Sequence, residues 1–497
     1  MANEEKIMYT VKGREVLWDM FLADKCDNIT LEMHKPVRKN IALNCNAPWE
    51  GESTCYFTLI HDGEKYRLYY RGLGTNGGPL KPENGYHVTW CVAYSDDGVT
   101  FTKPNLGIYD FQGSKDNNIV LMDNTRFLDN FAVMYDTNPD CPADEKFKGL
   151  AQYDNPEVKP DENGIKFSAL LAYYKSADGL HFEYVRNIPV DGAFDSMNYA
   201  FWDESIGKYR LYYRAFHHLD EENKIEYEAE KHVRGIKLAL SDDFVTWEEK
   251  GGLVYSDPIE IQMYTNNVQR YYRSDIYFGI PTRYIDRAPD NKNYAYLPDL
   301  CGIRPDLIKY EGREGTACTE AMIMTSRDGL NFDRTREAFL TPGIECGDNW
   351  VYGDCYFARG VAETPSDFKG EPNEMSLYTV TGMKTRGVTL VRYTERIDGF
   401  FSWSADFNGG EVLTKLFTFN GGKMSVNFAT SALGYLQIVF CDENGKALEG
   451  YDSGRIFGDS IDRPVDFEKS LSDLNGKAVR MKISMKDAGF YSFNFEN

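Results

Sequence analysis

At five places along the chain, polar residues stand just ahead of aromatic, strand-like runs. Glu50 and Glu52 precede Tyr56–Ile60, Asp129 precedes Phe131–Tyr135 and Asp195 precedes Tyr199–Trp202. Asp348 and Asp354 flank Trp350, and the remaining place, ahead of Val268–Tyr272, carries Asn266 and Asn267 instead of an acid. Cleavage of an acetal needs two carboxyl groups across the bond. One is protonated and serves the departing oxygen; the other is ionised and acts as nucleophile or base. A third can tune the acid by like-charge repulsion or hydrogen bonding. On this reading Glu50, Asp129 and Asp195 are the catalytic candidates, with the three roles undivided among them. Glu50 and Glu52 lie on one side of an extended chain and compete for the first place.

Basic residues near strand ends stand out in so acidic a chain: Arg71, Arg214, His217, His218, Arg273 and Arg283. A guanidinium grips a carboxylate, sulfate or phosphate through two parallel bonds. These residues either pair with the protein's own acids or face an anionic substrate group. Trp49, Tyr264 and Trp350 offer flat faces on which a sugar ring can stack, or that pack between structural units.

The elements that must position these groups are announced by a repeat. Ser95-Asp-Asp-Gly-Val-Thr-Phe101 returns as Ser176-Ala-Asp-Gly-Leu-His-Phe182, Ser241-Asp-Asp-Phe-Val-Thr-Trp247 and Ser326-Arg-Asp-Gly-Leu-Asn-Phe332, at spacings of 81, 65 and 85 residues. A fifth unit keeps Asp398-Gly-Phe400 after the strand-like Thr389–Thr394. Tyr66-Arg-Leu-Tyr-Tyr-Arg71 recurs as Tyr209-Arg-Leu-Tyr-Tyr-Arg214. Asp-Gly closes a tight turn, and the aromatic three residues on returns to a buried face. Five such units predict an all-β fold, a five-bladed β-propeller over residues 1–400. Beyond 401, short alternating runs broken by Asn-Gly turns predict a small β-sandwich. Segments 158–165 and 285–316 read as long loops over one face.

Composition closes off other classes. Lys+Arg number 55 against 77 Asp+Glu, a formal charge of −22. Such a surface repels phosphate backbones and anionic lipid, so neither nucleic acid nor a membrane is the expected partner. No apolar run approaches the 18–20 residues of a membrane helix. The segment Met1–Met20 lacks an apolar signal core, and none of the ten cysteines forms a C-x-x-C pair. Both features predict a cytoplasmic protein with reduced thiols. No zinc spacing or calcium loop is present, so no metal and no cofactor are expected. Gly72-Leu-Gly-Thr-Asn-Gly77 fits G-x-G-x-x-G but runs into Gly78-Pro79 with no helix behind it, and reads as a loop.

Several phrases resemble bacterial proteins described as similar to glycoside hydrolase family 32. These are Asp129-Asn-Phe131, Asp136-Thr-Asn-Pro-Asp-Cys-Pro142, Tyr264-Thr-Asn-Asn-Val-Gln-Arg-Tyr-Tyr-Arg273, Phe278-Gly-Ile-Pro-Thr-Arg-Tyr284, Met324-Thr-Ser-Arg-Asp-Gly-Leu330 and Lys486-Asp-Ala-Gly-Phe-Tyr-Ser-Phe493. The resemblance spans nearly the whole chain and implies a five-bladed propeller followed by a β-sandwich. The Asn-Asp-Pro-Asn box of family 32 itself is missing; the nearest region reads Leu17-Trp-Asp-Met-Phe-Leu-Ala-Asp24. The Pro48-Trp49-Glu50-Gly51 wording favours Glu50 over Glu52. Repeat, acids and resemblance together predict a glycoside hydrolase, exo-acting, on a small imported oligosaccharide or glycoside. Two alternatives stay open: a glycoside phosphorylase holding phosphate with Arg and His, and a non-catalytic carbohydrate-binding protein.

Overall fold

The repeated phrase folds the same way at each of its four full copies. Its serine Oγ accepts the N–H three residues on, from Gly98, Gly179 and Phe244 at 2.9 Å and from Gly329 at 2.8 Å. Its aspartate accepts from Val99, Leu180, Val245 and Leu330, each at 2.8 Å. The turn places its fourth residue in the left-handed region, at φ 75° for Gly98, 74° for Gly179 and 76° for Gly329. Glycine adopts that conformation without strain; Phe244 adopts it at φ 60° because its ring is buried against Tyr173 and Tyr209.

A computed structural model describes residues 9–75, 85–123, 128–154, 169–218, 232–257, 259–287, 292–297, 302–310, 313–347, 349–385 and 387–496. The described residues form a five-bladed propeller of antiparallel sheets joined to a C-terminal sheet. Blade I comprises Cys55–His61, Tyr66–Thr75, Tyr86–Ser95 and Ile119–Leu121. Blade II comprises Leu128–Tyr135, Phe147–Asp154, Ala169–Ser176 and Glu183–Asn187. Blade III comprises Tyr199–Asp203, Lys208–His218, His232–Ser241 and Glu248–Gly252. Blade IV is the irregular one. Gln269–Arg270, Tyr277–Gly279, Met324–Ser326 and Asn331–Arg334 form it, and Val254–Tyr255 adds a parallel edge. Its middle strands stop near Pro281, which has no N–H to give a ladder, and resume as the hairpin Thr282–Ile285 with Cys318–Ala321. Blade V takes Ala362–Thr364, Glu374–Thr381 and Val388–Glu395, and its fourth strand is the early segment Val37–Cys45.

The turns also lock blade to blade. Tyr69 of blade I donates to the Gly179 carbonyl of blade II at 2.9 Å, and Tyr212 of blade III to Gly329 of blade IV at 2.7 Å. Tyr378 of blade V donates to Gly98 of blade I, which closes the ring. The inner strands of blades I and V also meet directly, through a parallel bridge between Thr58 and Arg359.

Within 285–316, where loop is expected, the described residues include the short helices Arg304–Tyr310 and Arg313–Thr316. Pro305 and Asp306 in the first turn and Lys309 in the last are ordinary helix signals. Segment 158–165 lies outside the described residues. The strands Arg14–Val16, Ala23–Asp27 and Thr30–Met33 fall inside the expected propeller range 1–400, but they pair with the C-terminal strands. That nine-stranded sheet is organised by two long strands, Lys423–Cys441 and Arg480–Glu496, paired along most of their length. It buries Trp403, Phe428, Ile438, Phe440, Ile483 and Phe493. The nine described cysteines carry no disulfide. No helix among the described residues is long and apolar enough to cross a membrane.

Candidate active site

The inner stretches of blades I, II and V open with one local design. Cys55-Tyr56-Phe57, Asp129-Asn130-Phe131 and Asp354-Cys355-Tyr356 each place their second residue at positive φ, 58°, 56° and 59°. Pairing with the second strand resumes three residues after the first member of each triplet, at Thr58, Ala132 and Phe357. In blades I and II the ladder shifts there, which marks a bulge. A bulge bends the strand and re-aims the side chain beside it. The aimed groups are therefore the Cys55 thiol, the Asp129 carboxyl and the Asp354 carboxyl.

These residues belong to a circuit that runs once around the propeller axis. Arg71 of blade I donates from Nη1 to Asp129 Oδ1 of blade II at 2.7 Å and from Nη2 to Cys55 Sγ at 2.8 Å. Asn130 Nδ2 donates to Gln152 Oε1 at 2.8 Å and to Asp195 Oδ1, on the approach to blade III, at 3.3 Å. Asp195 Oδ2 lies 3.5 Å from Arg214 Nη2. The Arg214 guanidinium sits 5.9 Å from the Tyr264 ring, and that of Arg234 sits 5.2 Å from it. Tyr264 stacks on Tyr356 at 5.8 Å, Tyr356 on Tyr56 at 6.0 Å, and Arg71 returns to the Tyr56 ring at 4.6 Å. Tyr264 and Tyr352 share a 2.5 Å hydroxyl contact. The tyrosines are buried and form a floor; the Asp195 side chain is 60% exposed and stands at its rim.

The two aspartates sit in different surroundings. Asp129 Oδ1 accepts both Arg71 and the Asn130 N–H, which leaves Oδ2 for a proton. Burial raises its pKa above the usual carboxylate range; Arg71 opposes the rise and the Asp195 charge adds to it. Burial holds the neighbouring Cys55 as a neutral thiol, its pKa pushed up to about 12.

Other expected site residues are placed elsewhere. Glu50 is enclosed by the protein's own donors. It is wholly buried, and its carboxylate accepts from Tyr70 Oη, the Ala47 N–H and Lys103 Nζ, all at 2.7 Å. A carboxylate enclosed this way meets no substrate. Glu50→Gln is expected to lower stability by on the order of 3 kcal/mol, seen as a lower urea midpoint at unchanged slope, and to leave turnover intact. Glu52 is half-buried and accepts the Thr75 N–H and Oγ1 at 3.1 Å. Trp49 donates to Asn118 Oδ1 at 2.8 Å and packs inside blade I. Asn267 takes the Ile280 N–H at 2.6 Å, and Asn266 Oδ1 takes that of Val268 at 3.1 Å; both are buried and hold blade IV. Arg273 bonds Asp398 at the junction with the C-terminal sheet, 3.0 Å away, and Arg283 is the cross-strand partner of Glu320. Trp350 is half-buried and donates to the Gly343 carbonyl at 3.0 Å. Asp348 and the side chains of His217 and His218 lie outside the described residues.

Asp354 clasps its own loop. Its Oδ2 accepts the Val351 N–H at 3.0 Å, while Arg304 donates to the carbonyls of Trp350 and Asn349 at 3.0 and 3.1 Å. Together they fix the loop that delivers Tyr352. Burial raises the Asp354 pKa to about 7, against the lowering effect of backbone N–H groups and Arg304. A raised carboxyl binds its proton more tightly folded than unfolded. Its contribution is present below about pH 4 and is lost as pH rises through 7, about 4 kcal/mol in all. Glu395, raised to about 8 by burial, acts in the same direction. The melting temperature is expected to fall between pH 5 and 8, and Asp354→Asn to flatten that fall.

Residue-by-residue reading of the sequence missed Cys55, Gln152, Arg234, Tyr56 and Tyr356, and assigned Asn130 no role. The signal was the triplet pattern, three residues ahead of each inner ladder. Among the described residues no three His, Cys, Asp or Glu are grouped to hold a metal ion.

No protein-family model matches the chain, and no curated protein matches it. Solved structures do match. An N-acetylgalactosamine deacetylase from F. plautii, in complex with blood group B trisaccharide, is 12% identical, covers 92% of this chain and 95% of its own, and gives a TM-score of 0.40. A sucrose-6-phosphate hydrolase from Lactobacillus gasseri is 13% identical, with 94% and 93% covered and a TM-score of 0.39. A glycosyl hydrolase from Bacteroides ovatus is 13% identical, with 73% and 93% covered and a TM-score of 0.37. Likeness at this level leaves function to the chemistry of the site.

Proposed function

We propose that this propeller is a carbohydrate-active enzyme, a glycoside hydrolase whose working carboxyls are Asp129 and Asp195. The observation that carries this reading is the pair itself. Two carboxyls from successive blades, one buried and one exposed, are tied together by Asn130 above a floor of tyrosines. Asp129, with its raised pKa and a free Oδ2, is the general acid that protonates the departing oxygen. Asp195, beside Arg214, is the nucleophile or base. The Tyr264 ring, flanked by Arg214 and Arg234, suits a sugar that carries a carboxylate, sulfate or phosphate.

The test is a panel of aryl glycosides, pyranose and furanose, neutral and uronic, each with and without inorganic phosphate. Turnover by the wild type and loss of at least about 100-fold in Asp195→Asn is the expected result. Equal turnover by both proteins overturns it. Strict dependence on phosphate moves the enzyme to the phosphorylases.

A further inference from the structure

Arg359 lies three residues past Tyr356 on the inner stretch of blade V, about 10 Å further along the axis at the usual rise of an extended chain. Its backbone ties blade V to blade I: its N–H donates to Phe57 at 3.0 Å, and its carbonyl accepts from Leu59 at 2.7 Å. Its side chain crosses the axis to blade III. The guanidinium carbon sits 5.5 Å from the Tyr199 ring and 5.4 Å from the Phe201 ring. The Tyr199 hydroxyl in turn meets Thr58 Oγ1 of blade I at 3.2 Å. Blades I, III and V thus converge on one cation.

Among the described residues that cation has no counter-charge. Two buried guanidiniums of the propeller hold a carboxylate, Arg71 with Asp129 and Arg210 with Asp203, and the half-buried Arg327 holds Glu15 and Asp19; Arg359 is half-buried too. The Arg359 side chain makes no hydrogen bond or ion pair among the described residues, and its Nε is sealed from solvent with nothing to accept from it. The ionisable neighbour that bears on it is the Tyr199 hydroxyl, and burial disfavours its charge. An N–H sealed from solvent needs an acceptor.

We propose that the channel holds a small inorganic anion, of halide size, on the N–H edge of Arg359. The aromatic rings lie against the guanidinium, which leaves its edge for the ligand. Thr58, Tyr199 and Phe201 beside it are buried, and a surface of charge −22 turns polyanions away. The anion joins three blades by completing the cation they surround.

The full chain is dialysed into sodium gluconate, and chloride is titrated in at constant ionic strength while the melting temperature is followed. The wild type is expected to gain about 2–4 °C between 1 and 100 mM chloride, and Arg359→Met to gain nothing. No gain in the wild type, or an equal gain in Arg359→Met, overturns the proposal. Crystals of the wild type grown with bromide decide the matter should the variant not fold. An anomalous peak within hydrogen-bond reach of Arg359 supports the site; its absence there rejects it.

Discussion

Asp195→Asn is expected to lower kcat/KM by about 10²–10⁴-fold while the urea midpoint stays where it was. Its side chain is exposed, and the neighbouring Arg214 keeps its bond to the Ala193 carbonyl at 2.7 Å. Asp129→Asn is expected to cost as much in rate, but with two further signatures. It swaps a buried carboxyl that accepts from Arg71 and the Asn130 N–H for an amide, so the midpoint falls as well. It also removes the proton donor, so the loss should shrink on aryl glycosides whose leaving group needs no protonation. A loss that is equal across good and poor leaving groups would show that Asp129 is not the acid. A loss in Asp129→Asn alone, with Asp195→Asn unharmed, would remove Asp195 from the chemistry.

The second large effect concerns stability. Asp398 is fully buried where blade V hands over to the C-terminal sheet. Its carboxylate accepts from Arg14 at 3.2 Å, Arg273 at 3.0 Å, and Tyr271 and Ser492 at 2.7 Å. Its carbonyl accepts from Trp18 Nε1 at 2.8 Å. Asp398→Ala leaves two arginines facing a void, and a loss of about 3–5 kcal/mol in urea unfolding is expected. The residue also sits at φ 62°. Asp398→Gly should therefore be the milder of the two by about 1 kcal/mol, because glycine bears that conformation freely. If both variants unfold at the wild-type midpoint, the carboxylate does not hold the junction.

The fold was legible because its signal is local. A serine, an aspartate and a glycine at fixed offsets make the same hydrogen-bonded turn wherever they occur, and Tyr69, Tyr212 and Tyr378 only need the turn to be there. The site was legible in part. Asp129, Asp195, Arg71, Arg214 and Tyr264 can be read as groups at the mouths of inner strands. Blade I defeated the reading for two reasons. The hairpin after its inner strand pairs His61 with Tyr66, whereas blade III pairs Trp202 with Tyr209, so overlaying the Tyr-Arg-Leu-Tyr-Tyr-Arg phrases puts the inner strands two residues out of step. The bulge at Tyr56 then adds a residue no spacing rule can see. Glu50 and Glu52 were therefore weighed for a place that Cys55 occupies. Arg273 and Arg283 could not be separated from site residues, because their partners, Asp398 and Glu320, come from distant segments.

The pairing of Arg14 with Asn494 and of Val16 with Ser492 fixes an order of events during synthesis. A ribosome adding 5–20 residues per second reaches residue 494 roughly 24–96 s after residue 14. Throughout that interval Arg14–Val16, and Val37–Cys45 until blade V emerges, are unpaired edges on a nascent chain. Blades I to III can assemble as they are made, but the ring stays open until its first-made strand is retrieved. Val37–Cys45 carries Arg38 and Lys39 in its first half, and charged residues of this kind keep a waiting edge from recruiting a strand from a neighbouring nascent chain.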